Sequence, residues 1–183
     1  MSVFQKLFHK NKIEKAPFDF IDAVRKHDLP ALVNNLASDT LSSNPTAIPY
    51  TREDIIHDWE ILESLCVVCD LTEEEFIATA ASKMLHLPHK ESIKYMSNHG
   101  YVPPSVERLI YLYTYMHTLE TLKNYTSIGI KKFQVRSCGD GRVCSVCSKH
   151  DKKVHLVSKA IIGKTAPPFC ENCRCTILPV FGK

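Results

Sequence analysis

The sequence predicts an α+β protein, with a helical N-terminal region followed by a small β-rich C-terminal domain. Apolar residues recur with helical spacing as far as about residue 124, and the pattern changes to alternation after Gly129. Five of the eight cysteines lie between residues 144 and 175. Together these observations divide the chain into a helical arm and linker (1–50), a helical region (51–128) and a C-terminal domain (129–183).

The arm begins with apolar residues at helical spacing: Val3, Phe4, Leu7 and Phe8. We expect this stripe to dock on the protein's own core, and contact with a membrane surface is the alternative. The spacing after it predicts one or two short helices over 18–38, broken at Pro30. Residues 39–49 are rich in turn formers and predict a linker.

Three further helices have recognisable starts. Thr51 with Asp54 and Thr72 with Glu75 form capping pairs, and Ser105 is a candidate N-cap for a helix that runs to about Asn124. The predicted inward residues are Ile55, Trp59, Leu62 and Cys66 in the first, Phe76, Ile77, Ala80, Met84 and Leu87 in the second, and Val106, Leu109, Ile110, Tyr113, Met116 and Leu119 in the third.

Short alternating segments predict the β-rich part. Residues 132–136, 154–157 and 176–180 are the strand candidates. They enclose most of the cysteines, so the strands and the cysteines belong to one unit.

Composition indicates a globular chain. Apolar residues make up 44% of the 183 residues and charged residues 23%. No apolar run approaches the roughly 20 residues that cross a bilayer. The first ten residues lack the apolar core of a signal peptide. We therefore expect no transmembrane segment and no secretion by a signal peptide, and predict a cytoplasmic protein.

The net charge of +3 is the sum of two segments with charges of opposite sign. Residues 1–130 carry 12 Lys and Arg against 17 Asp and Glu, a net charge of −5, whereas residues 131–183 carry 11 against 3, a net charge of +8. One zinc ion with four thiolates would leave the tail at about +6. A basic tail predicts contact with DNA or another polyanion, although lysines also solvate small domains.

The cysteine spacing predicts a metal site. Cys144 and Cys147 form one CxxC, here called the first knuckle, and Cys170 and Cys173 form a second, followed by Cys175. Two such turns can present four sulfurs to one ion, and a closed set of thiolates suits structural Zn²⁺. CxxC geometry favours Cys144, Cys147, Cys170 and Cys173, while Cys175 could replace Cys173. An iron–sulfur cluster, disulfides and buried free thiols are the alternatives.

The remaining cysteines and histidines are weaker candidates. Cys66 and Cys69 form a third CxxC without partners, and we expect them to pack in the core. Cys138 could compete as a ligand. His150 and His155 flank the first knuckle and could replace a thiol or act in acid–base chemistry, as in HNH-type nucleases. No Asp-His pair lies between the knuckles, which disfavours a nuclease.

The tail resembles a known phage module. The segment Gly129–Arg136, then Asp140-Gly-Arg-Val-Cys-Ser-Val-Cys147, Asp151, the pair Pro167-Pro168 and the Cys170–Cys175 cluster are similar to the phage Mu F-like domain. That module ends the SPP1-type minor head, or head morphogenesis, proteins. Cys170 stands where the family usually has His, and Lys152 where a Gly is common. The resemblance covers about residues 125–181.

The resemblance implies a zinc-stabilised, prophage-derived or phage structural protein, cytoplasmic or virion-associated, that contacts DNA or a protein such as the portal or capsid. It also marks Asp140 and Arg142 as residues that orient the first knuckle or contact phosphate. The sequence shows no nucleophile–base set and no Gly-rich phosphate loop, which favours a protein that is not an enzyme. The alternatives are a zinc-dependent enzyme or toxin-like effector that acts on nucleic acid, and a nucleic-acid-binding regulator.

Overall fold

The computed structural model describes residues 18–37 and 50–181. The predicted apolar stripe at residues 3–8 and the predicted linker at 39–49 lie outside this part of the chain. Within it there are seven α-helices and one three-stranded sheet, so the predicted α+β class is confirmed. The helices are α1 (Phe20–Arg25), α2 (Leu29–Leu36), α3 (Arg52–Cys69), α4 (Glu73–Met84), α5 (His89–Asn98), α6 (Val106–Ser127) and α7 (Ser145–His150). The strands are β1 (Lys132–Arg136), β2 (Val154–Leu156) and β3 (Thr176–Val180).

The first two helices are separated earlier than the sequence predicts. The break lies at residues 26–28, where His27 has a φ of 52°, and Pro30 is the second residue of α2. The predicted break at Pro30 is therefore wrong. Proline is tolerated in the first turn of a helix because that turn needs no backbone donor. Asp28 caps the same turn by accepting the N–H of Ala31 at 3.0 Å.

The predicted helix starts of α3, α4 and α6 are confirmed. Thr51 with Asp54 and Thr72 with Glu75 form complete capping boxes, and Ser105 accepts the N–H of Arg108. Two ends differ from the prediction. Helix α4 ends at Met84, which leaves Leu87 half-buried beyond it, and α6 continues to Ser127.

Helices α1–α6 enclose the larger hydrophobic core. Its fully buried side chains include Ile55, Leu62, Ile77, Leu109 and Leu112. One partly buried ion cluster lies beside this core, where Lys83 Nζ is 3.1 Å from Asp58 Oδ1 and 3.5 Å from Glu120 Oε2. The hydroxyl of Tyr50 donates to the other oxygen of Asp58 at 2.7 Å. This cluster joins α3, α4 and α6.

A second, smaller core belongs to the C-terminal unit. Phe133 and Val135 of β1 and Ile177 of β3 are buried in it. Tyr125, near the end of α6, is buried in the same core, and its hydroxyl donates to the carbonyl of Ile177 at 3.2 Å. The long helix α6 therefore contributes side chains to both cores and connects the two units.

The sheet has the strand order β2-β1-β3, and both pairs are antiparallel. Its inner face carries Phe133, Val135 and Ile177 toward the small core, as alternation in the sequence predicts. Within the part of the chain that is described, no helix is long and apolar enough to cross a membrane.

Candidate metal centre

The first knuckle forms because a short helix begins there. Cys144 is the N-cap of α7, and its Sγ accepts the backbone N–H of Cys147 at 3.4 Å. The turn exposes Cys144 and buries Cys147, which has 4% of its surface exposed. The two sulfurs consequently lie on the side of the turn that faces the second knuckle.

The second knuckle is a tight turn that leads into β3. The N–H of Cys173 donates to the carbonyl of Cys170 at 3.0 Å, which closes the turn. Cys173 and Cys175 are buried, whereas Cys170 is half-buried. Cys175 directly precedes Thr176, the first residue of β3, so the sheet fixes its position.

The fold brings these thiols together. Cys170 Sγ lies 3.5 Å from Cys144 Sγ and 3.6 Å from Cys147 Sγ, and Cys147 Sγ lies 3.6 Å from Cys173 Sγ. Sulfurs bound tetrahedrally at about 2.3 Å from one zinc ion would be about 3.8 Å apart. Two overlapping groups could each hold an ion, Cys144–Cys147–Cys170 and Cys147–Cys173–Cys175, with sulfurs within 4.8 Å of one another in each. The C-terminal cysteines thus form groups that can bind a metal ion.

Cys147 is the centre of this arrangement, since it belongs to both groups. Cys173 and Cys175, the two candidates for the fourth position, both lie beside it. The sequence predicts all five thiols as ligands or competitors, and the structure places all five in one cluster.

The thiols differ in their readiness to ionise, which matters because metals bind thiolates. A hydrogen bond from the Cys175 thiol lowers the pKa of Cys173 to about 5. The backbone N–H of Cys147 lowers the pKa of Cys144. Burial raises the pKa of the Cys147 and Cys170 thiols in the absence of a cation. A bound cation would reverse that effect by its own charge.

An ion pair joins the loops that hold the two knuckles. Asp140 accepts both guanidinium N–H groups of Arg174, each at 2.8 Å, and Arg174 lies between Cys173 and Cys175. Arg142 contacts Asp140 more loosely, with its side chain at 3.3 Å and its backbone N–H at 3.1 Å. The sequence singles out Asp140 and Arg142 but misses Arg174, because pairing across a 34-residue separation leaves no local pattern.

Two contacts from α6 support the centre, and sequence reasoning missed both. The hydroxyl of Thr114 donates to the carbonyl of Cys173 at 2.9 Å, and Tyr125 bonds to β3 as described above. Thr114 lies between residues that face the helical core, and a polar residue on such a face is the signal that could have indicated it.

The other cysteines lie apart from the ligand groups found among the described residues. Cys138 is exposed, and its thiol donates to the carbonyl of Arg174 at 3.3 Å. Cys66 and Cys69 are half-buried against the helical core.

The two histidines that flank the first knuckle pack against aromatic rings. His150 stacks on Phe169 with ring centroids 3.8 Å apart, and His155 lies against Phe133 at 5.7 Å. Among the described residues, the buried atoms Nδ1 of His150 and Nε2 of His155 have no hydrogen-bond partner. Neither histidine belongs to a ligand group found in the described chain.

Comparison of the chain with protein families, with characterised proteins and with solved structures finds no match.

Proposed function

We propose that residues 129–183 form a zinc-stabilised binding module that is not an enzyme. The observation that carries the proposal is the convergence of two CxxC turns, with three Sγ–Sγ distances of 3.5–3.6 Å. Four protein thiolates close the coordination of an ion and leave no position for a substrate or an activated water. The metal would then stabilise the fold and take no part in catalysis.

Zinc is the ion that this donor set fits best. Thiolates select soft or borderline metals, and Zn²⁺ accepts a tetrahedral sulfur environment without any redox chemistry. Cys144, Cys147 and Cys170 would supply three ligands, and Cys173 or Cys175 the fourth. Small domains gain folding free energy directly from such an ion. The hydrophobic core of this unit is small, so we expect the ion to contribute a large part of its stability.

We infer further that the module acts in the manner of a phage head-morphogenesis protein, in the cytoplasm during assembly or in the virion. The ordered motifs from Asp140 to Cys175 support this, as does the charge of +8 over residues 131–183. A basic unit fits contacts with DNA or with acidic surfaces of a portal or capsid protein.

Metal analysis of protein purified without added metal tests the first part. We expect one zinc per chain, lost in Cys144→Ser and in Cys170→Ser, and retained in the matched control Cys138→Ser. Comparing Cys173→Ser with Cys175→Ser identifies the fourth ligand, because only the true ligand's variant should lose zinc. A chain that retains no metal under these conditions would contradict the proposal.

Binding assays with zinc-loaded chain test the second part. We expect salt-sensitive binding to a 20-base-pair duplex, or binding to a phage portal or capsid protein. No binding to either, with zinc fully retained, would contradict the head-morphogenesis role while leaving the metal site intact. Metal-dependent cleavage of the duplex that is lost in His150→Ala would instead favour an enzyme.

A further inference from the structure

The outer face of the sheet is open and combines apolar with basic side chains. Register places Lys132 opposite Leu156 and Gln134 opposite both Val154 and Leu178. Directly paired residues of antiparallel strands point to the same side. Val154, Leu156 and Leu178 are 48%, 40% and 47% exposed, so no described element covers this face.

The charge of this face is positive only. Lys132 and Arg136 lie along the central strand, and the other outward positions paired with β1 carry no carboxylate. The carboxylate of Asp151, whose charge interacts with Arg136, accepts the N–H of Ser137 at 2.8 Å. A partner for this face must therefore offer carboxylates together with apolar groups.

The edges of the sheet do not invite strand addition. Strand β2 has only three residues, and β3 contains Pro179, which has no N–H to donate. An element that packs flat on the face is the remaining mode of contact.

Helix α3 of the chain itself presents a face that combines carboxylates with apolar side chains. On α3, the exposed residues Glu53, Ile56, Glu60 and Val67 recur every three to seven positions on one side. Ile56 and Val67 are 40% and 85% exposed. Among the described residues, neither Glu53 nor Glu60 forms an ion pair.

The two faces also agree in length. The helix stripe from Glu53 to Val67 spans about 21 Å at 1.5 Å per residue. Strand β1 spans about 17 Å, with Lys132 and Arg136 about 14 Å apart. Glu53 and Glu60 are about 10 Å apart along the helix, a difference that flexible Lys and Arg side chains can absorb.

We propose that the outer face of the sheet binds the exposed stripe of α3 of a second copy of this chain. The contact is head-to-tail, because each copy offers two different surfaces, and such contacts build rings or filaments. A three-stranded face is small compared with the roughly 800 Å² that each partner buries in a stable interface, so we expect weak and reversible association. The inference goes beyond the proposed function and requires only that the sheet is folded.

Sedimentation velocity of the zinc-loaded chain tests the proposal, at protein concentrations up to several hundred micromolar in low and high salt. We expect the average mass to rise with concentration and the association to weaken at least fivefold in high salt, because paired charges are screened. A chain that remains monomeric in low salt at every concentration would overturn the proposal. The same holds if that monomeric chain binds a DNA duplex through Lys132 and Arg136, because the face would then serve a different partner.

Charge reversal identifies the surfaces. We expect Lys132→Glu/Arg136→Glu and Glu53→Lys/Glu60→Lys each to weaken self-association at least tenfold. Mixing the two variants should restore it, because each junction again pairs opposite charges. The control Lys90→Glu/Lys94→Glu, on exposed positions of α5, should associate like the parent chain.

Metal content, measured in every variant, separates this proposal from the proposed function. If the sheet variant lost zinc, the α3 variant would still test the interface, because its substitutions lie outside the unit that holds the metal. The proposed interface would be overturned if the α3 variant associated as strongly as the parent chain. It would also be overturned if mixing the two variants failed to restore association although both keep zinc.

Discussion

Asp140 and Arg174 join the loops that hold the two knuckles, and both oxygens of the carboxylate accept from the guanidinium at 2.8 Å. This fork-like geometry is the strong form of the Arg–carboxylate contact. Asp140 precedes the first knuckle and Arg174 lies within the second cysteine cluster, so the pair links the two loops that carry the thiols. Arg174 holds the pKa of Asp140 well below its usual range, which keeps the carboxylate charged.

The first prediction concerns this pair. Arg174→Gln should lower zinc affinity about tenfold, the lower end of the effect seen when residues that orient metal ligands are removed. Competition with a chromophoric chelator measures it. The control is Arg142→Gln, whose guanidinium contacts the same carboxylate at 3.3 Å and is largely exposed; it should change the affinity less than twofold. Equal effects of both variants would contradict a special role for Arg174.

The second prediction concerns removal of the metal. Because the two hydrophobic cores are separate, chelation should expose the backbone amides of Phe133 and Val135 to hydrogen exchange while those of Leu62 and Ile77 stay protected. Hydrogen exchange with and without chelator measures both sets. Uniform loss of protection would show instead that the helical core depends on the metal, and unchanged exchange would show that the small core does not need it.

The third prediction concerns the link between α6 and the second knuckle. Thr114→Val keeps the size of the side chain but leaves the carbonyl of Cys173 without its donor. We expect a loss of about 1–2 kcal/mol in the free energy of unfolding, together with weaker zinc binding. Urea denaturation and the chelator assay measure these. In the control Thr121→Val, the lost bond runs only to the carbonyl of His117 in the same helix, so zinc affinity should not change.

The fourth prediction concerns the ion cluster around Asp58. Lys83→Met should cost about 3 kcal/mol of folding free energy, because it leaves Asp58 and Glu120 without their shared cation. Asp58 is 6% exposed, so water cannot replace the lysine fully. Urea denaturation measures the loss. The exposed Lys90→Met serves as control and should lie within about 0.5 kcal/mol of the parent chain; a loss in Lys83→Met no greater than that would contradict the structural role.

The fifth prediction concerns pH. Hydrogen bonds from Arg108 lower the pKa of Glu75. Because the folded pKa is below the unfolded one, the pair stabilises the fold fully above about pH 4.3 and loses its effect as pH falls through the lowered value. Glu75→Gln should cost about 0.5–1 kcal/mol at pH 7 and flatten the loss of stability between about pH 5 and pH 3.

Glutamine also functions in capping boxes, so the Glu75→Gln variant removes the ion pair with little change to the start of α4. Glu74→Gln, on the half-buried neighbour, is the control for the change in net charge. Chemical denaturation at a series of pH values compares the three chains. Parallel curves for all of them would contradict the prediction.

Local patterns determined much of this protein from sequence alone. The capping residues Thr51, Thr72 and Ser105 gave the helix starts, because a cap acts within one turn of chain. Alternation gave the three strands, and CxxC spacing gave the thiols. In each case the interacting atoms are at most a few residues apart, so the information is local.

Tertiary structure decided the relationships between distant residues. It paired Asp140 with Arg174, placed Thr114 against Cys173, made α6 common to both cores and joined Asp58, Lys83 and Glu120. It also placed Cys173 and Cys175 both beside Cys147. These contacts depend on how whole elements pack. The same local periodicity is compatible with many different arrangements of helices and strands, so it does not specify which elements meet. Local chemistry therefore fixed the elements and the candidate ligands, and packing fixed which of them meet.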